Sequence, residues 1–403
     1  MRLLFTTTGH LGHTRPLAPV VDAALSAGHD VVVAGPATRR PALEALGADV
    51  RTFPGPTDAQ TAAAMASISD LSARGAQAIV VRDLFGLTLG AIALDGLREI
   101  AEHIAPDAIV RETYELAGAA VASALDVPLA VLALGTMDLQ RQDARHAASA
   151  VAELAGRLGA ARGRAAAAHA QALYLSALPA ALESPGARDR SAVTRFRDAA
   201  QRKPAAQAPW PAGDGPRVYA SFGTVAGNLP GAAGLYGPAV AALGRLDARV
   251  LVSTGNPLIE ELIADVPPNV RVEPWVDEDA ALPAADAVIG HGGQGTMLAA
   301  LRHGLPQVVI PLFSHDQWHN ADRVTAVGAG LALTGAPRRG PEPPGPDVID
   351  QLPSAVNDVL TTPRMRSVAQ GIAAEIAALP AADVAVAALE RVAARGRGPM
   401  RVA

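Results

Sequence analysis

The sequence contains no cysteine, and aromatic residues make up only 3% of its 403 positions. Without cysteine, disulfides and thiolate chemistry are excluded. Lysine occurs once, as Lys203, and the formal net charge of −5 leaves no basic stripe, so we expect no nucleic-acid partner. Half of the residues are hydrophobic, but no uncharged apolar run reaches about 18 residues, the length of a membrane span. We therefore expect neither a transmembrane helix nor a membrane partner.

The length of the chain predicts two domains, because 403 residues exceed what one compact core holds. The first residues, RLLFTT, form a strand pattern rather than a signal sequence, which favours a cytoplasmic protein. Residues 198–216 are rich in proline and glycine and make the clearest linker. We predict an N-terminal domain at 1–204, a linker at 205–216, a C-terminal domain at 217–378 and a terminal helix at 379–403 that crosses back to the N-terminal domain.

Strand and helix patterns alternate in both halves of the chain. The first unit reads as a strand at 2–7, a helix at 16–27 and a strand at 30–34, and the alternation restarts at 217–222. Such alternation is typical of α/β domains with parallel sheets, whereas residues 53–80 lose the rhythm and are expected to form a loop region. We predict two Rossmann-like domains that face each other across a cleft, which is the default place for a ligand.

One stretch of the second half combines several ligand-binding signals. In residues 286–320, DAVIGHGGQGTMLAALRHGLPQVVIPLFSHDQWHN, an apolar strand reaches His291, a glycine turn follows, and a helix opens near Gly295 and Thr296. A helix N-terminus with free N–H groups binds anions, phosphate above all. Asp316 and Gln317 lie in a polar loop after the next strand, at the sheet edge where α/β proteins bind ligands. A diphosphate at the helix and a sugar at the loop would explain both features.

A histidine and a carboxylate mark the same edge of the first half. His10 and His13 follow the first strand, and a histidine there can take up a proton near neutral pH. Glu112 ends another strand, where its carboxylate could hold one imidazole nitrogen and raise the basicity of the other. The residues leave other roles open for both. The histidines could instead pack against the helix start, and Glu112 could instead be an exposed charge or form a salt bridge with Arg111.

Two further strand ends of the second half carry candidate residues. Ser221 and Thr224 provide hydroxyls near a glycine, which suits a phosphate contact. Trp275 is either a stacking wall for a nucleobase or a core residue. His315, Asp316 and His319 are metal-ligand types, but their spacing matches no closed zinc pattern, so no metal site is predicted.

Taken in order, these motifs resemble the inverting nucleotide-sugar glycosyltransferases of the GT-B fold. The resemblance is strongest to the actinobacterial branch that decorates antibiotics, including those of the macrolide type, and other natural products. It covers nearly the whole chain and is carried by Gly12-His13-x-x-Pro16, Gly28-His29, Pro106-Asp107, Ser221-Phe222-Gly223-Thr224, Trp275, His291 to Thr296, Asp316-Gln317 and Asn320. Two positions depart from the family pattern: Glu112 stands where an aspartate is usual, and Trp275-Val276-Asp277-Glu278 replaces Trp-x-Pro-Gln.

The resemblance implies a role for each matching residue. His13 would be the general base that deprotonates the acceptor, and Glu112 would orient it. Asp316 and Gln317 would bind the sugar hydroxyls. The diphosphate and the nucleobase would be held by His291, Gly293, Gln294, Gly295, Thr296, Ser221, Thr224, Trp275 and the backbone of Val276.

The resemblance also implies an activity. The chain would transfer a sugar from a nucleoside diphosphate sugar to a hydrophobic natural-product aglycone, with inversion and without a metal or other cofactor. A thymidine-linked deoxysugar donor is favoured over a uridine-linked one. The acceptor pocket would come from residues 53–100 and 135–182. The identity of the aglycone, O- against C-glycosylation and the oligomeric state, with a homodimer as one option, are left open by the sequence.

Two other functions fit the same fold. A nucleotide-sugar epimerase would need catalytic acids around the sugar and no acceptor pocket, which suits His13 and Glu112 less well. A non-catalytic sugar-nucleotide-binding helper of another transferase would be favoured by a degraded donor loop, but His291 to Thr296 and Asp316-Gln317 are intact. A nicotinamide dehydrogenase is disfavoured because Gly9 and Gly12 do not complete the dinucleotide-binding fingerprint.

Overall fold

The computed structural model describes residues 1–66, 71, 73–187, 193–198, 207–228, 233–261, 263, 265–335 and 344–396. Within this part of the chain, two parallel β-sheets each carry helices on both faces. The strands of the first sheet are β1 (Arg2–Thr6), β2 (Asp30–Pro36), β3 (Asp49–Phe53), β4 (Ala108–Glu112), β5 (Leu129–Leu132), β6 (Leu173–Ser176) and β7 (Val193–Arg195). Those of the second sheet are β8 (Arg217–Ser221), β9 (Arg249–Ser253), β10 (Val270–Glu273), β11 (Ala287–Gly290), β12 (Gln307–Val309) and β13 (Gly330–Ala332).

The strand order places a switch point in each sheet. The orders are β3-β2-β1-β4-β5-β6-β7 and β10-β9-β8-β11-β12-β13, so the chain changes direction across the sheet between β1 and β4, and again between β8 and β11. The paired strands are parallel, with Phe5 opposite Val110 and Ile289 opposite Ala220. Ligands of open α/β sheets bind outside the carboxyl ends of the strands at such a point.

The helices fill the connections between these strands. In the N-terminal domain they are α1 (Leu11–Thr14), α2 (Ala18–Ser26), α3 (Arg40–Glu44), α4 (Asp58–Ala66), α5 (Ala73–Ile79), α6 (Ala91–Ile104), α7 (Ala117–Ala124), α8 (Met137–Arg157) and α9 (Arg162–Ala170). A π-helical segment, Val80–Gly90, joins α5 to α6 and packs against α8. Short 3₁₀ turns cover Arg15–Leu17, Ala37–Arg39, Ala180–Leu182 and Leu282–Ala284.

The remaining helices belong to the C-terminal half of the sequence. They are α10 (Gly223–Ala226), α11 (Tyr236–Leu243), α12 (Pro257–Glu261), α13 (Glu278–Ala281), α14 (Gln294–Arg302), α15 (His315–Val327), α16 (Pro346–Thr361), α17 (Pro363–Ala378) and α18 (Asp383–Gly396). The last of these lies against α2 of the N-terminal domain, where Val386 and Leu389 join the core beneath β1 and β2. His29 Nε2 is 3.2 Å from Glu390 Oε1 at the same contact.

Two local predictions were wrong. Residues 53–80 are not a loop region, because α4 and α5 occupy much of it, with residues 67–70 and 72 outside the described part. The alanine-rich composition that hid a helix rhythm there is itself helix-favouring. Asp316 and Gln317 are not in a loop but in the first turn of α15, which begins at His315. Parts of the predicted linker (199–206) and of the proline-rich segment (336–343) lie outside the described residues.

Candidate active site

His13 and Glu112 meet at the switch point of the first sheet. His13 lies in α1, directly after β1, and Glu112 is the last residue of the neighbouring strand β4. His13 Nδ1 is 3.2 Å from Glu112 Oε2. The Glu112 side chain is fully buried, and its carboxylate also accepts hydrogen bonds from the backbone N–H groups of Thr8, at 3.1 Å, and Tyr114, at 2.7 Å. The carboxylate therefore holds the imidazole through Nδ1, and Nε2 takes no part in this contact.

Each member of the pair changes the pKa of the other. Burial would lower the pKa of His13, but the charge of Glu112 and its contact with Nδ1 outweigh burial, so that the pKa is raised above its ordinary value of 6.5. Burial would raise the pKa of Glu112, and the contact with His13 and the two backbone N–H groups reverse this, so that it is lowered. The carboxylate stays ionised and the imidazole becomes a stronger base, as a general base requires.

Neither Arg111 nor His10 takes the place of His13 beside the Glu112 carboxylate. Arg111 is buried, and its guanidinium contacts His169 Nδ1 at 3.3 Å and donates to the backbone carbonyls of Glu112 and Thr113 rather than to the carboxylate. His10 occupies the position before α1 and is exposed. Of the two histidines in this loop, only His13 therefore lies in contact with the strand-end carboxylate.

An aromatic and acidic cluster beside His13 was missed by the sequence analysis. The ring of Tyr114 lies 5.5 Å from that of His13 and is stacked on Phe85 at 4.8 Å. The Tyr114 hydroxyl donates to Asp143 at 3.0 Å, and the Gln77 amide donates to the other oxygen of Asp143 at 2.6 Å. Burial raises the pKa of Asp143 to about 6, although both hydrogen bonds oppose the rise. No local pattern links these residues, because they come from four separate elements.

Glycines hold His291 at the second switch point. His291 follows β11, and a Cβ atom at Gly223, the first residue of α10, would lie 2.7 Å from its ring. A Cβ atom at Gly293 would overlap the same ring. Gly292 has φ of +86°, and the Asn320 amide donates to its carbonyl oxygen at 2.7 Å. The glycine turn thus packs closely around the imidazole, whose pKa is lowered by burial, so it is neutral at physiological pH.

The N-terminus of α14 follows this turn and points its first N–H groups to the cleft side of the sheet. Gly293 precedes the helix, and Gln294, Gly295 and Thr296 form its first turn. Ser221 ends β8 and Thr224 lies in α10 beside it, so both hydroxyls are at the same edge. The predicted diphosphate residues are therefore brought together around one helix end.

The element after β10 decides between the two alternatives that the sequence left open for Trp275. Trp275 is 52% exposed and therefore not a core residue, whereas Val276 is buried. Asp277 caps α13, with its carboxylate accepting from the Asp279 N–H at 3.0 Å. Glu278 accepts a hydrogen bond of 2.9 Å from the hydroxyl of Thr296. This last contact places a carboxylate at the candidate phosphate site.

Asp316 and Gln317 are adjacent but face different surroundings. The side-chain oxygen of Gln317 accepts from the backbone N–H groups of Leu312, at 2.8 Å, and Phe313, at 3.0 Å, so only its amide nitrogen is left for a sugar hydroxyl. Within the described residues, the Asp316 carboxylate has no hydrogen bond. Its charge acts on the pKa of both His13 and His291. Asp316, in the first turn of α15, is therefore near both histidines.

The described residues contain no candidate metal cluster and one helical run long enough to be a candidate membrane span. No group of three or more His, Asp or Glu side chains there is arranged to hold a metal ion. The continuous helical run Gly75–Ile104, with a mean hydropathy of 1.5, is long and apolar enough to cross a membrane. The helices Pro363–Ala378 and Asp383–Arg395, which meet at a bend, reach this length and hydropathy only if they are taken together as one span. Such a run is weak evidence for a membrane span, because core helices share its length and composition.

Comparison with known proteins places the chain in a family. Residues 238–392 match the C-terminal domain of the erythromycin biosynthesis protein CIII-like family. Elloramycin glycosyltransferase ElmGT of Streptomyces olivaceus is 30% identical over 408 residues, which is 96% of this chain and 96% of ElmGT. The L-demethylnoviosyl transferase of Streptomyces niveus is 30% identical over 362 residues, 83% of this chain and 85% of that relative.

Solved structures agree on the fold. The crystal structure of the glycosyltransferase VinC in complex with dTDP is similar with a TM-score of 0.74 at 24% identity, over 98% of this chain and 100% of VinC. The predicted fold class, two Rossmann-like domains facing across a cleft, is thereby confirmed. Because the chain is 30% identical to ElmGT over 96% of its length, it belongs to the GT-B glycosyltransferases of actinobacterial natural-product biosynthesis.

Proposed function

We propose that this glycosyltransferase moves a deoxysugar from a thymidine diphosphate sugar to a hydrophobic natural-product aglycone, with inversion and without a metal ion. The observation that carries the proposal is the His13–Glu112 contact of 3.2 Å at one switch point and the glycine turn that holds His291 before a helix end at the other, with the charge of Asp316 acting on both histidines. A base and a diphosphate site therefore flank a single position in the cleft. The anomeric carbon of a donor sugar would occupy it.

His13 supplies the base on the acceptor side. Its Nε2 removes the proton of the acceptor nucleophile as that nucleophile attacks the anomeric carbon, and the resulting imidazolium is stabilised by Glu112. The attack comes from the N-terminal domain, whereas the diphosphate departs toward the C-terminal domain. Attack from the side opposite the leaving group inverts the anomeric configuration.

The helix end supplies the positive field for the leaving group. The first N–H groups of α14 and the dipole of that helix stabilise the charge that develops on the departing diphosphate. His291, held between glycines, is a neutral donor beside it. The Asp316 carboxylate binds sugar hydroxyls. With these groups in place, charge stabilisation needs no metal ion.

Two aromatic side chains support a hydrophobic acceptor. Phe85 and Tyr114 are stacked beside His13 in a chain that has few aromatic residues. The π-helical segment that carries Phe85 is apolar and partly exposed. We place the aglycone against this pair. The thymidine donor is supported by the dTDP bound to VinC, a protein with the same fold.

Replacing the base tests the proposal. Calorimetric titration of thymidine diphosphate and of uridine diphosphate, in EDTA, should give micromolar binding to wild type and to His13→Ala alike, with thymidine preferred. Transfer from a thymidine diphosphate sugar to a panel of hydrophobic acceptors should be lost only in His13→Ala, because the base acts on the acceptor. His103→Ala, an exposed histidine on α6, is the matched control and should keep full turnover. Normal turnover by His13→Ala, or nucleotide binding only with added metal, would contradict the proposal.

A further inference from the structure

Arg15 contacts the donor side of the cleft from the opposite domain. It follows the candidate base in the chain and begins the 3₁₀ turn Arg15–Leu17. Its guanidinium carbon Cζ lies 5.9 Å from the centroid of the Trp275 ring, which is otherwise largely exposed. Within the described residues, the Arg15 side chain has no hydrogen bond or salt bridge, although its backbone N–H donates to the carbonyl oxygen of Leu11 in α1. Its charge is therefore placed against the C-terminal domain rather than against a partner in its own domain.

Glu278 creates a need for such a cation. Its carboxylate accepts the hydrogen bond from Thr296 in the first turn of α14, the helix end at which the diphosphate is proposed to bind. A diphosphate there would lie beside a second negative charge, and like charges placed together oppose binding. The helix dipole has to overcome this repulsion unless a cation offsets Glu278.

Arg15 is the cation best placed to offset it. Burial raises the pKa of Glu278; of the charges that oppose this rise, Arg15 acts more strongly than Arg302 in α14, while the charge of Asp279 adds to it. Arginine suits both roles, since the guanidinium is planar, stacks on aromatic rings such as that of Trp275, and carries the charge that acts on Glu278.

We propose that Arg15 is a donor-site positioning residue supplied by the N-terminal domain, which covers Trp275 at the nucleobase end and offsets the charge of Glu278 beside the diphosphate. The inference rests on the proposed function, because it takes the ligand to be a nucleoside diphosphate. When the donor binds, Arg15 holds α1, which carries His13, against the donor. The base and the sugar are thereby brought together in one step.

Removal of the guanidinium tests the inference. Arg15→Met keeps a side chain of similar length but loses the charge and the planar group. Calorimetric titration of thymidine diphosphate, without acceptor, should show binding about threefold to tenfold weaker than in wild type, the range expected from a partly exposed cation–π contact and charge pair. Arg15→Lys should lie between the two. Arg98→Met is the matched control, because Arg98 is partly exposed on α6 and paired with Glu102, and it should bind as wild type does.

The Glu278 contact gives the decisive comparison. In a Glu278→Gln background, the charge that Arg15 offsets is gone. There, Arg15→Met should weaken thymidine diphosphate binding by less than half of the factor by which it weakens binding in the wild-type background. In turnover assays, the KM for the donor should rise while kcat and the acceptor KM stay near wild type. Unchanged binding by Arg15→Met, an equal loss in both backgrounds, or a fall in kcat alone would overturn the inference. A wild-type protein that binds neither thymidine nor uridine diphosphate would refute the proposed donor, and the inference with it.

Discussion

At the scale of single residues, burial and hydrogen bonds decide which carboxyl groups are ionised in the cleft. Glu112 is fully buried, but its contacts with His13 and two backbone N–H groups lower its pKa. Asp143 is also buried and has two neutral donors, Gln77 and Tyr114, which are not enough to prevent a rise of its pKa to about 6. Two carboxyl groups near the same histidine therefore differ in charge under mildly acidic conditions, because only one of them faces an imidazole.

We expect Glu112→Gln to lower kcat/KM by roughly 10²–10⁴-fold, since the imidazole loses the group that orients and stabilises it. The same change should move the acidic limb of the pH profile. A base must be unprotonated, so activity falls as the pH drops through the pKa of His13, which Glu112 raises above 6.5. Without Glu112 this limb should shift to lower pH in steady-state assays. A limb at the same pH as wild type would mean that another group sets it.

Asp316→Ala should weaken the binding of a thymidine diphosphate sugar more than that of free thymidine diphosphate. The carboxylate is near both His13 and His291 and has no hydrogen bond within the described residues, so a sugar hydroxyl is the partner we propose for it. Paired calorimetric titrations of the two ligands measure the difference, which should be about tenfold for one charged hydrogen bond. Equal losses for both ligands would argue against a sugar contact.

At the scale of elements, the glycine turn between β11 and α14 is the most constrained part of the site. Gly292 needs its positive φ, and a Cβ atom there would lie 2.6 Å from the backbone oxygen of Gln317. A Cβ atom added at Gly295, one turn further on, would have no atom outside its own turn of the helix within 4 Å. One glycine is therefore required by the protein's own packing, whereas the open space at the other is where we place the diphosphate.

The two glycines should respond differently to alanine. Gly292→Ala should destabilise the protein by more than about 1–2 kcal/mol, the cost of a left-handed conformation, because steric overlap is added to it. Gly295→Ala should keep or slightly raise the melting temperature but weaken thymidine diphosphate binding, since a methyl group would stand where the ligand approaches the backbone. Thermal melts and titrations of the two variants measure both effects. Tight nucleotide binding by Gly295→Ala would place the diphosphate elsewhere.

At the scale of the whole molecule, the two domains are held together by contacts on both sides of the cleft. The hydroxyl of Thr136, at the start of α8, lies 2.7 Å from His319 Nε2 in α15. Arg323 in α15 donates to the carbonyl oxygens of Leu182 and Glu183. Helix α18 packs on α2 and on the core of the N-terminal domain. The stability of the N-terminal domain therefore depends on residues from the end of the sequence.

Leu389→Ala should lower the free energy of unfolding by about 2–5 kcal/mol, because Leu389 is fully buried in the core beneath β1 and β2. Arg391→Ala, an exposed change on the same helix, should stay within about 0.5 kcal/mol of wild type. Urea unfolding of the two variants measures the difference. A small effect of Leu389→Ala would mean that α18 contributes little to the N-terminal core.

Much of the fold and of the family could be read from the sequence, because both rest on local patterns. Alternating strand and helix signals predicted the α/β class, and the stretch around His291 and the Gly12-His13 start predicted the family. The strand β7 and the helices between residues 58 and 79 were missed, since a short edge strand and an alanine-rich segment carry weak periodicity. The partners of Glu278 and Asp143 were missed because their contacts join elements far apart in the chain.

The sequence by itself determined the α/β alternation and most of the elements, and it placed His13, Glu112 and Asp316 just after or at the ends of strands. Only the tertiary structure decided which of these ends meet. Strand order puts β4 beside β1 and so brings Glu112 to His13, while the packing of the domains brings Arg15 over Trp275. The physical reason is that hydrophobic periodicity and turn chemistry act over a few residues, whereas sheet order and domain docking are set by burial of the whole chain.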